Sequence, residues 1–254
     1  MPVLIDLHSH ILPGVDDGAR TLDESIEIAR SAVEDGVELV AATPHVRDDY
    51  RTSAETMEEL VRSTQVAVRT AGIPLELRTG GEIALDLLPG LDAEEVRRFG
   101  LGGNPRYVLL EFPYEGWPLS LENVVVALRA EGVTPVIAHP ERNPGVQAAP
   151  ERLAPIVSAG ALAQLTAGSV TGAGGSQPRR ASRALFDLGL AHLVAGDAHA
   201  ARVRKARMRE AVAAIGDEAL ARWLTNDVPR AVVDDEPLPE RPSSRPRRFR
   251  LRRN

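Results

Sequence analysis

Five of the six histidines in this chain stand where short apolar runs give way to polar residues. His8 and His10 lie in Asp6-Leu-His-Ser-His10, His45 in Thr43-Pro-His45, His139 in His139-Pro-Glu-Arg142 and His199 in Asp197-Ala-His199. Carboxylates sit in equivalent places: Glu82 in Gly80-Gly-Glu82, Glu111 at the end of a run, Asp17 in Val15-Asp-Asp-Gly18, and Asp197. Imidazole and carboxylate donors without thiolate suit zinc, manganese, iron or nickel. The nine donors exceed what one cation needs, and bridging carboxylates would support two or three. One histidine at a strand end is usually a satisfied hydrogen-bonding residue. Five, joined by four carboxylates, reverse that reading. His192 precedes its apolar run and reads as structural.

Two arginines fall beside these donors. Arg142 follows His139 in the same motif, and Arg204 lies five residues after His199. A fixed guanidinium next to a metal cup is a natural bidentate clamp for phosphate, which makes both candidate catalytic residues. The run Gly168-Ser-Val-Thr-Gly-Ala-Gly-Gly175 completes no phosphate-loop pattern and reads as a mobile rim loop.

Donors so far apart in sequence need a scaffold that gathers them. Seven apolar runs recur: Val3–Leu7, Glu38–Ala42, Leu75–Arg78 with a possible extension through Ile83, Tyr107–Phe112, Thr134–Ala138, Ala161–Leu165 and His192–Ala195. Short runs of this kind are typical of buried parallel strands. Helical patterns alternate with them. Thr21-Leu-Asp-Glu24 reads as a capping box, followed by Ile26, Ala29 and Val33 and closed by Gly36. Met57, Leu60, Val61, Thr64 and Val68 form a second stripe ending at Gly72. Further helices are expected near 120–131, 151–159, 179–188 and 202–215. Alternation throughout predicts a parallel sheet with helices outside, and seven units suggest a closed or nearly closed barrel. Strand C-termini then converge on one face, where such barrels place their sites. Positions two apart share a side, so His8 with His10, and Asp197 with His199, can each grip one cation.

The 254 residues carry a net charge of −6. Residues 234–254 hold four acids against seven arginines, a net of +3, which leaves −9 on residues 1–233. The first part reads as one domain and the Pro/Arg-rich remainder as a disordered tail, open to weak contact with an anionic membrane or acidic partner. An acidic body with 4% aromatic residues argues against nucleic acid as partner. The absence of cysteine excludes disulfides, thiolate zinc sites and cysteine nucleophiles. No apolar run approaches a membrane span, and the N-terminus enters a strand without a signal-peptide pattern, so a cytoplasmic location is expected.

These motifs together resemble the PHP (polymerase and histidinol phosphatase) superfamily, and within it the CpsB/CapC-type bacterial tyrosine-protein phosphatases. The resemblance rests on Asp6-Leu-His-Ser-His-Ile-Leu-Pro-Gly-Val-Asp-Asp-Gly18, Ala42-Thr-Pro-His45, Gly81-Glu-Ile83, Glu111-Phe-Pro113, Ile137-Ala-His-Pro-Glu-Arg-Asn143, Gln164-Leu-Thr-Ala-Gly-Ser169 and Asp197-Ala-His199, in that order. It implies a distorted seven-stranded parallel (β/α)7 barrel and a trinuclear, usually manganese-dependent site. It matches His8, His10, Asp17, His45, Glu82, Glu111, His139, Asp197 and His199 to ligands, and Arg142 and Arg204 to phosphate contacts. The implied substrate is phosphotyrosine on a bacterial tyrosine kinase that governs capsule or exopolysaccharide synthesis. Val46, Gly81 and Ala200 depart from residues common in the family, and none of them removes a ligand.

The expected reaction is metal-assisted hydrolysis of a phosphomonoester by activated water, with no covalent phosphoenzyme. His199 or an Asp is a candidate proton donor to the leaving oxygen. Two alternatives stand beside it: another PHP phosphoesterase acting on histidinol phosphate or nucleotides, and a non-catalytic module that binds a kinase or membrane.

Overall fold

Every one of the seven apolar runs forms a strand in the computed structural model, which describes residues 3–111, 113 and 116–243. The strands are β1 (Leu4–Ser9), β2 (Val37–Ala42), β3 (His45–Arg47), β4 (Tyr50–Arg51), β5 (Glu76–Arg78), β6 (Glu82–Ala84), β7 (Tyr107–Glu111), β8 (Thr134–Ala138), β9 (Leu162–Thr166) and β10 (Leu193–Ala195). β1, β7, β8, β9 and β10 are buried at every residue, as strands covered on both faces must be.

The strands form an α/β fold with a mostly parallel arrangement in two sheets. One has the order β1-β2-β5 and the other β10-β9-β8-β7-β6-β3-β4, with only β3 and β4 antiparallel. β1 meets the far edge of the larger sheet through a single bridge, Ser9 to Ala198. There the Asp197 N–H donates to the His8 carbonyl at 2.7 Å and the His10 N–H to the Ala198 carbonyl at 2.9 Å. The expected closed or nearly closed barrel is thus found as two mostly parallel sheets whose ladder is not closed.

The physical reason lies at two interruptions. Pro44 has no N–H to donate and separates β2 from β3. Thr79-Gly80-Gly81 divides the third run, so β5 pairs with β2 while β6 pairs with β3. The two breaks lie together, with the Glu82 N–H donating to the Pro44 carbonyl at 3.0 Å. A Cβ on Gly81 would stand 2.5 Å from Phe99 Cδ1, so only glycine allows this approach.

Helices cover the strands. Leu22–Glu34 is capped by Thr21 Oγ1, which accepts from the Glu24 N–H at 3.3 Å. The Glu24 carboxylate reaches the Arg20 N–H at 2.8 Å, one residue before the position a capping box predicts. Ala54–Thr70 buries Met57, Val61, Thr64 and Val68 under a Ser53 cap. Leu121–Ala130, Ala154–Ser158 and Ser176–Asp187 fall near their expected positions. The helix expected over 202–215 begins only at Met208, because Arg207 adopts φ +54°. The glycine-rich rim loop is in part helical: Ala167–Thr171 is capped by Thr166 and closed by Gly172 at φ +93°.

Past Asp217, which caps Glu218–Arg222, helical structure continues to Asp234 and lies against β1 and β10. Asn226 Nδ2 donates to the Val3 carbonyl at 2.8 Å. The start of the expected tail also touches the body. Trp223 Nε1 donates to the Pro239 carbonyl at 3.0 Å, and the Arg241 guanidinium to the Phe186 carbonyl at 2.7 Å. Residues 244–254 of that tail, and Phe112 of the fourth run, lie outside the described residues. No helix among the described residues is long and apolar enough to cross a membrane.

Candidate metal centre

The nine candidate donors converge in one cluster, most of them at or just past strand C-termini. His8 lies within β1, His10 just after it, and Asp17 in the following loop. His45 and Glu82 open the paired strands β3 and β6, Glu111 ends β7, and His139 follows β8. Asp197 and His199 follow β10. His139 and Asp197 have φ of +35° and +51°, a left-handed backbone that costs free energy in non-glycine residues. At both positions the chain turns abruptly at a strand end, as the convergence requires.

Glu82 occupies the centre and is fully buried. Its Oε1 is 2.8 Å from His139 Nε2, and its Oε2 is 3.0 Å from His45 Nδ1, 3.3 Å from His8 Nε2 and 3.5 Å from His10 Nε2. Asp197 Oδ1 lies 3.2 Å from His10 Nε2 and 3.4 Å from His8 Nε2. Asp17 Oδ1 lies 3.1 Å from His199 Nε2 and 3.4 Å from His45 Nε2. Glu111 Oε2 stands 3.6 Å from His45 Nδ1. The arginines flank this cluster: Arg142 reaches Asp197 Oδ2 at 2.5 Å and Arg204 reaches Asp17 Oδ2 at 3.2 Å.

Three residues outside the sequence-derived set orient the donors. Asp16 Oδ2 binds His10 Nδ1 at 2.7 Å and accepts the His45 N–H at 3.0 Å. Gln164 Oε1 accepts from His8 Nδ1 at 2.9 Å, which directs the other ring nitrogen into the pocket. Arg47 bridges Glu111 Oε1 at 3.3 Å and Asp49 at 2.7 Å. A polar Gln164 inside an apolar strand was the one legible signal for these. Choosing between Asp16 and Asp17 needs the turn itself. That turn places Gly18 so close to the His10 carbonyl that a Cβ would be 2.1 Å away. His192 behaves as a structural residue: its Nδ1 accepts the Ala163 N–H at 3.2 Å.

The electrostatics suit cations. Burial opposes charge on the His8 and His10 rings, yet Glu82 and Asp197, with Asp16 at His10, reverse this and raise both pKa values. Burial likewise opposes the Glu82 and Asp197 carboxylates, and the surrounding imidazoles hold both well below the usual range. Burial and the nearby Glu82 charge push Glu111 up, against His45, His139 and Arg47. Burial and the His10 charge bring His199 down to about 4, so its ring is neutral at pH 7.

Without positive charge at its centre, this pocket leaves polar atoms without hydrogen-bond partners. His45 Nδ1, Glu82 Oε2 and His199 Nε2 are buried and make no hydrogen bond among the described residues. Three overlapping donor sets pass through them: His10, Asp17, His45 and His199; His8, His10 and Glu82; and His45, Glu82 and Glu111. Within each set the donor atoms lie within 4.8 Å of one another. The sets share His10, His45 and Glu82, which is how ligands of a multinuclear site are arranged. These residues fit divalent ions.

Comparison with known proteins agrees with this chemistry. Residues 4–230 match the family model described as capsular polysaccharide synthesis, CpsB/CapC. The chain is 36% identical over 210 residues to the tyrosine-protein phosphatase YwqE of Bacillus subtilis, a match covering 82% of each chain. It is 27% identical over 248 residues to the tyrosine-protein phosphatase CpsB of Streptococcus pneumoniae, covering 92% of this chain and 99% of that one. A solved structure from work on YwqE and CpsB, described as metal-dependent tyrosine phosphatases, superposes with a TM-score of 0.84 at 31% identity. That superposition covers 95% of this chain and 100% of the other. A β-aspartyl dipeptidase from Fervidobacterium islandicum shares the fold alone, with a TM-score of 0.57 at 16% identity over 91% of this chain and 72% of that one.

Proposed function

The chain belongs to the CpsB/CapC family of capsular polysaccharide synthesis proteins, and from that premise we propose that it is a metal-dependent protein-tyrosine phosphatase. One observation carries the reading: three overlapping sets of metal donors share one buried glutamate and two imidazoles, with two arginines at the edge of the same cluster. His8, His10, Asp17, His45, Glu82, Glu111, His139, Asp197 and His199 would hold two or three ions, manganese foremost, with zinc, iron or nickel compatible with the donors. The domain comprises residues 1–233 as a distorted (β/α)7 barrel of PHP type, opened where the ladder is interrupted.

Bound divalent ions supply Lewis-acid charge and the means to deprotonate water near neutral pH. The chain's own residues do the positioning. Arg142 is held on Asp197 at the edge of the centre, where a guanidinium suits equatorial phosphoryl oxygens. Arg204, fixed by Asp17 and half exposed, would orient the ester. Water attacks phosphorus in line with the phenolic oxygen. The P–O(aryl) bond breaks, and tyrosine and inorganic phosphate leave. His199 Nε2, which makes no hydrogen bond among the described residues, would face a cation or the leaving oxygen. The absence of cysteine fits direct attack by water.

The substrate we favour is a phosphotyrosine-bearing bacterial tyrosine kinase that controls capsule or exopolysaccharide synthesis, met in the cytoplasm. The test is hydrolysis of a phosphotyrosine peptide after chelation and again after Mn²⁺ is restored, with histidinol phosphate and a nucleotide as competitors. Activity that vanishes, returns and prefers the peptide supports the proposal. Absence of peptide turnover with every divalent ion overturns it.

A further inference from the structure

An arginine ridge lies beside the candidate centre, on residues to which the proposed reaction assigns no role. Arg179, Arg180 and Arg183 are exposed on the helix Ser176–Asp187. Their side chains form no ion pair or hydrogen bond among the described residues, whereas arginines around the centre are paired. Together with Thr171, Gly172 and Ser176 they line a surface cleft of about 490 Å³. The Arg179 stem lies over Gly172, where a Cβ would stand 2.9 Å from its Cδ.

The local field is uncompensated for three reasons. The helix has no side-chain N-cap and no acidic residue in its first turn, so its N-terminal N–H groups add positive potential. Arg179 and Arg183 are four residues apart, a spacing at which like charges repel. The body up to residue 233 carries −9, so the ridge is a positive exception on an acidic surface.

Its position ties it to the active face. The helix packs against the Pro140–Arg142 turn that carries the phosphate arginine. The buried Glu141 of that turn accepts from the Thr166 N–H at 3.0 Å and hydroxyl at 2.9 Å. Thr166 in turn caps Ala167–Thr171, whose end lines the cleft. Two hydrogen-bonded steps thus join the ridge to the site.

We infer that Arg179, Arg180 and Arg183 form a docking site for acidic residues flanking the phosphotyrosine of a polypeptide substrate. This rests on the phosphatase reading and adds a sequence preference to it. Guanidinium groups already exposed and unpaired bind carboxylates without first breaking an internal pair. Exposed ion pairs are each worth about twofold, so the three together amount to about eightfold.

The experiment compares the full chain, loaded with Mn²⁺, with the variant Arg179→Gln/Arg180→Gln/Arg183→Gln. Substrates are phosphotyrosine peptides flanked by glutamate or by asparagine, and p-nitrophenyl phosphate. The wild type should favour the glutamate peptide by about eightfold in kcat/KM at low salt, with the advantage shrinking as salt rises. The variant should lose that preference and keep its rate on p-nitrophenyl phosphate. A preference retained by the variant, or absent from the wild type, overturns the inference. Fluorescence anisotropy with phosphonate analogues of both peptides reads the ridge independently of turnover. Loss of activity on every substrate therefore counts against the phosphatase reading alone, while anisotropy still decides the ridge. Binding to phosphatidylserine vesicles that the variant loses, with peptide binding unchanged, would reassign the ridge to lipid and also overturn the inference.

Discussion

Adjacent in the chain, Asp16 faces His10 and the amides of Gly18 and His45, whereas Asp17 faces His45, His199 and Arg204. Burial would raise the Asp16 pKa. The His10 hydrogen bond and charge, with both amides, outweigh burial and hold it at about 2, so it stays ionised at neutral pH. Asp16→Asn should therefore leave the fold intact and weaken Mn²⁺ activation by about 10–100-fold, the usual cost of losing the partner that orients a ligand. An unchanged activation curve would remove Asp16 from that role. His192 gives a second residue-scale expectation. Burial, helped by Arg241, lowers its pKa to about 4, and its Nδ1 must stay unprotonated to accept the Ala163 N–H. Between the ordinary 6.5 and about 4 the unfolded chain binds the extra proton. Stability from this group is thus complete above pH 6.5 and falls as pH drops, by about 2 kcal/mol at pH 5. Denaturant unfolding at pH 7 and pH 5 should show a smaller loss for His192→Asn, which keeps an acceptor that does not titrate. Equal losses would assign the pH dependence elsewhere.

At the scale of elements, the breaks at Thr43-Pro44 and Thr79–Gly81 matter as much as the strands, because they start β3 and β6 at His45 and Glu82. Gly81 has Phe99 packed where a side chain would begin. Gly81→Ala should cost about 1–3 kcal/mol by overpacking and displace Glu82, lowering activity as well as thermal stability. Adding Phe99→Ala should restore part of the activity even though it opens a cavity. If Gly81→Ala alone is neutral in both readouts, the close approach is not what fixes Glu82. Burial on two faces leaves an apolar signature that marked most of the seven runs, whereas the third was weak because β5 exposes Glu76 and Arg78. Periodicity could not divide the third run. Two glycines are compatible with either a continuous strand or a break, and only the pairing of β5 with β2 and β6 with β3 decides.

For the whole molecule, the centre joins strands from both sheets, with β1 in one and β3, β6 and β7 in the other. Ions bound there would tie together elements whose backbone ladder is interrupted at the β1 edge and at Pro44. Saturating Mn²⁺ at about 100 times its Kd should add about 2.7 kcal/mol. For a chain of this size that raises Tm by about 5–10 °C. Calorimetry with and without chelator checks this. An unchanged Tm, with metal binding verified, would mean that the centre is formed without help from the ions and does not tie the sheets together.

The residues that gather at the candidate centre, and the alternation of strand and helix, were legible in the sequence. A metal site needs particular atoms, and a buried strand needs a particular apolar pattern, so both leave local marks. The sequence also favoured a closed or nearly closed barrel, a loop over 168–175 and a tail from residue 234. Tertiary structure decided otherwise for the sheet closure and for part of the glycine run, and it placed residues up to Arg241 in contact with the body. It also separated Asp16 from Asp17 and brought Gln164 to His8. Those outcomes depend on which backbone groups meet across more than a hundred residues of chain, and local composition carries no record of such meetings.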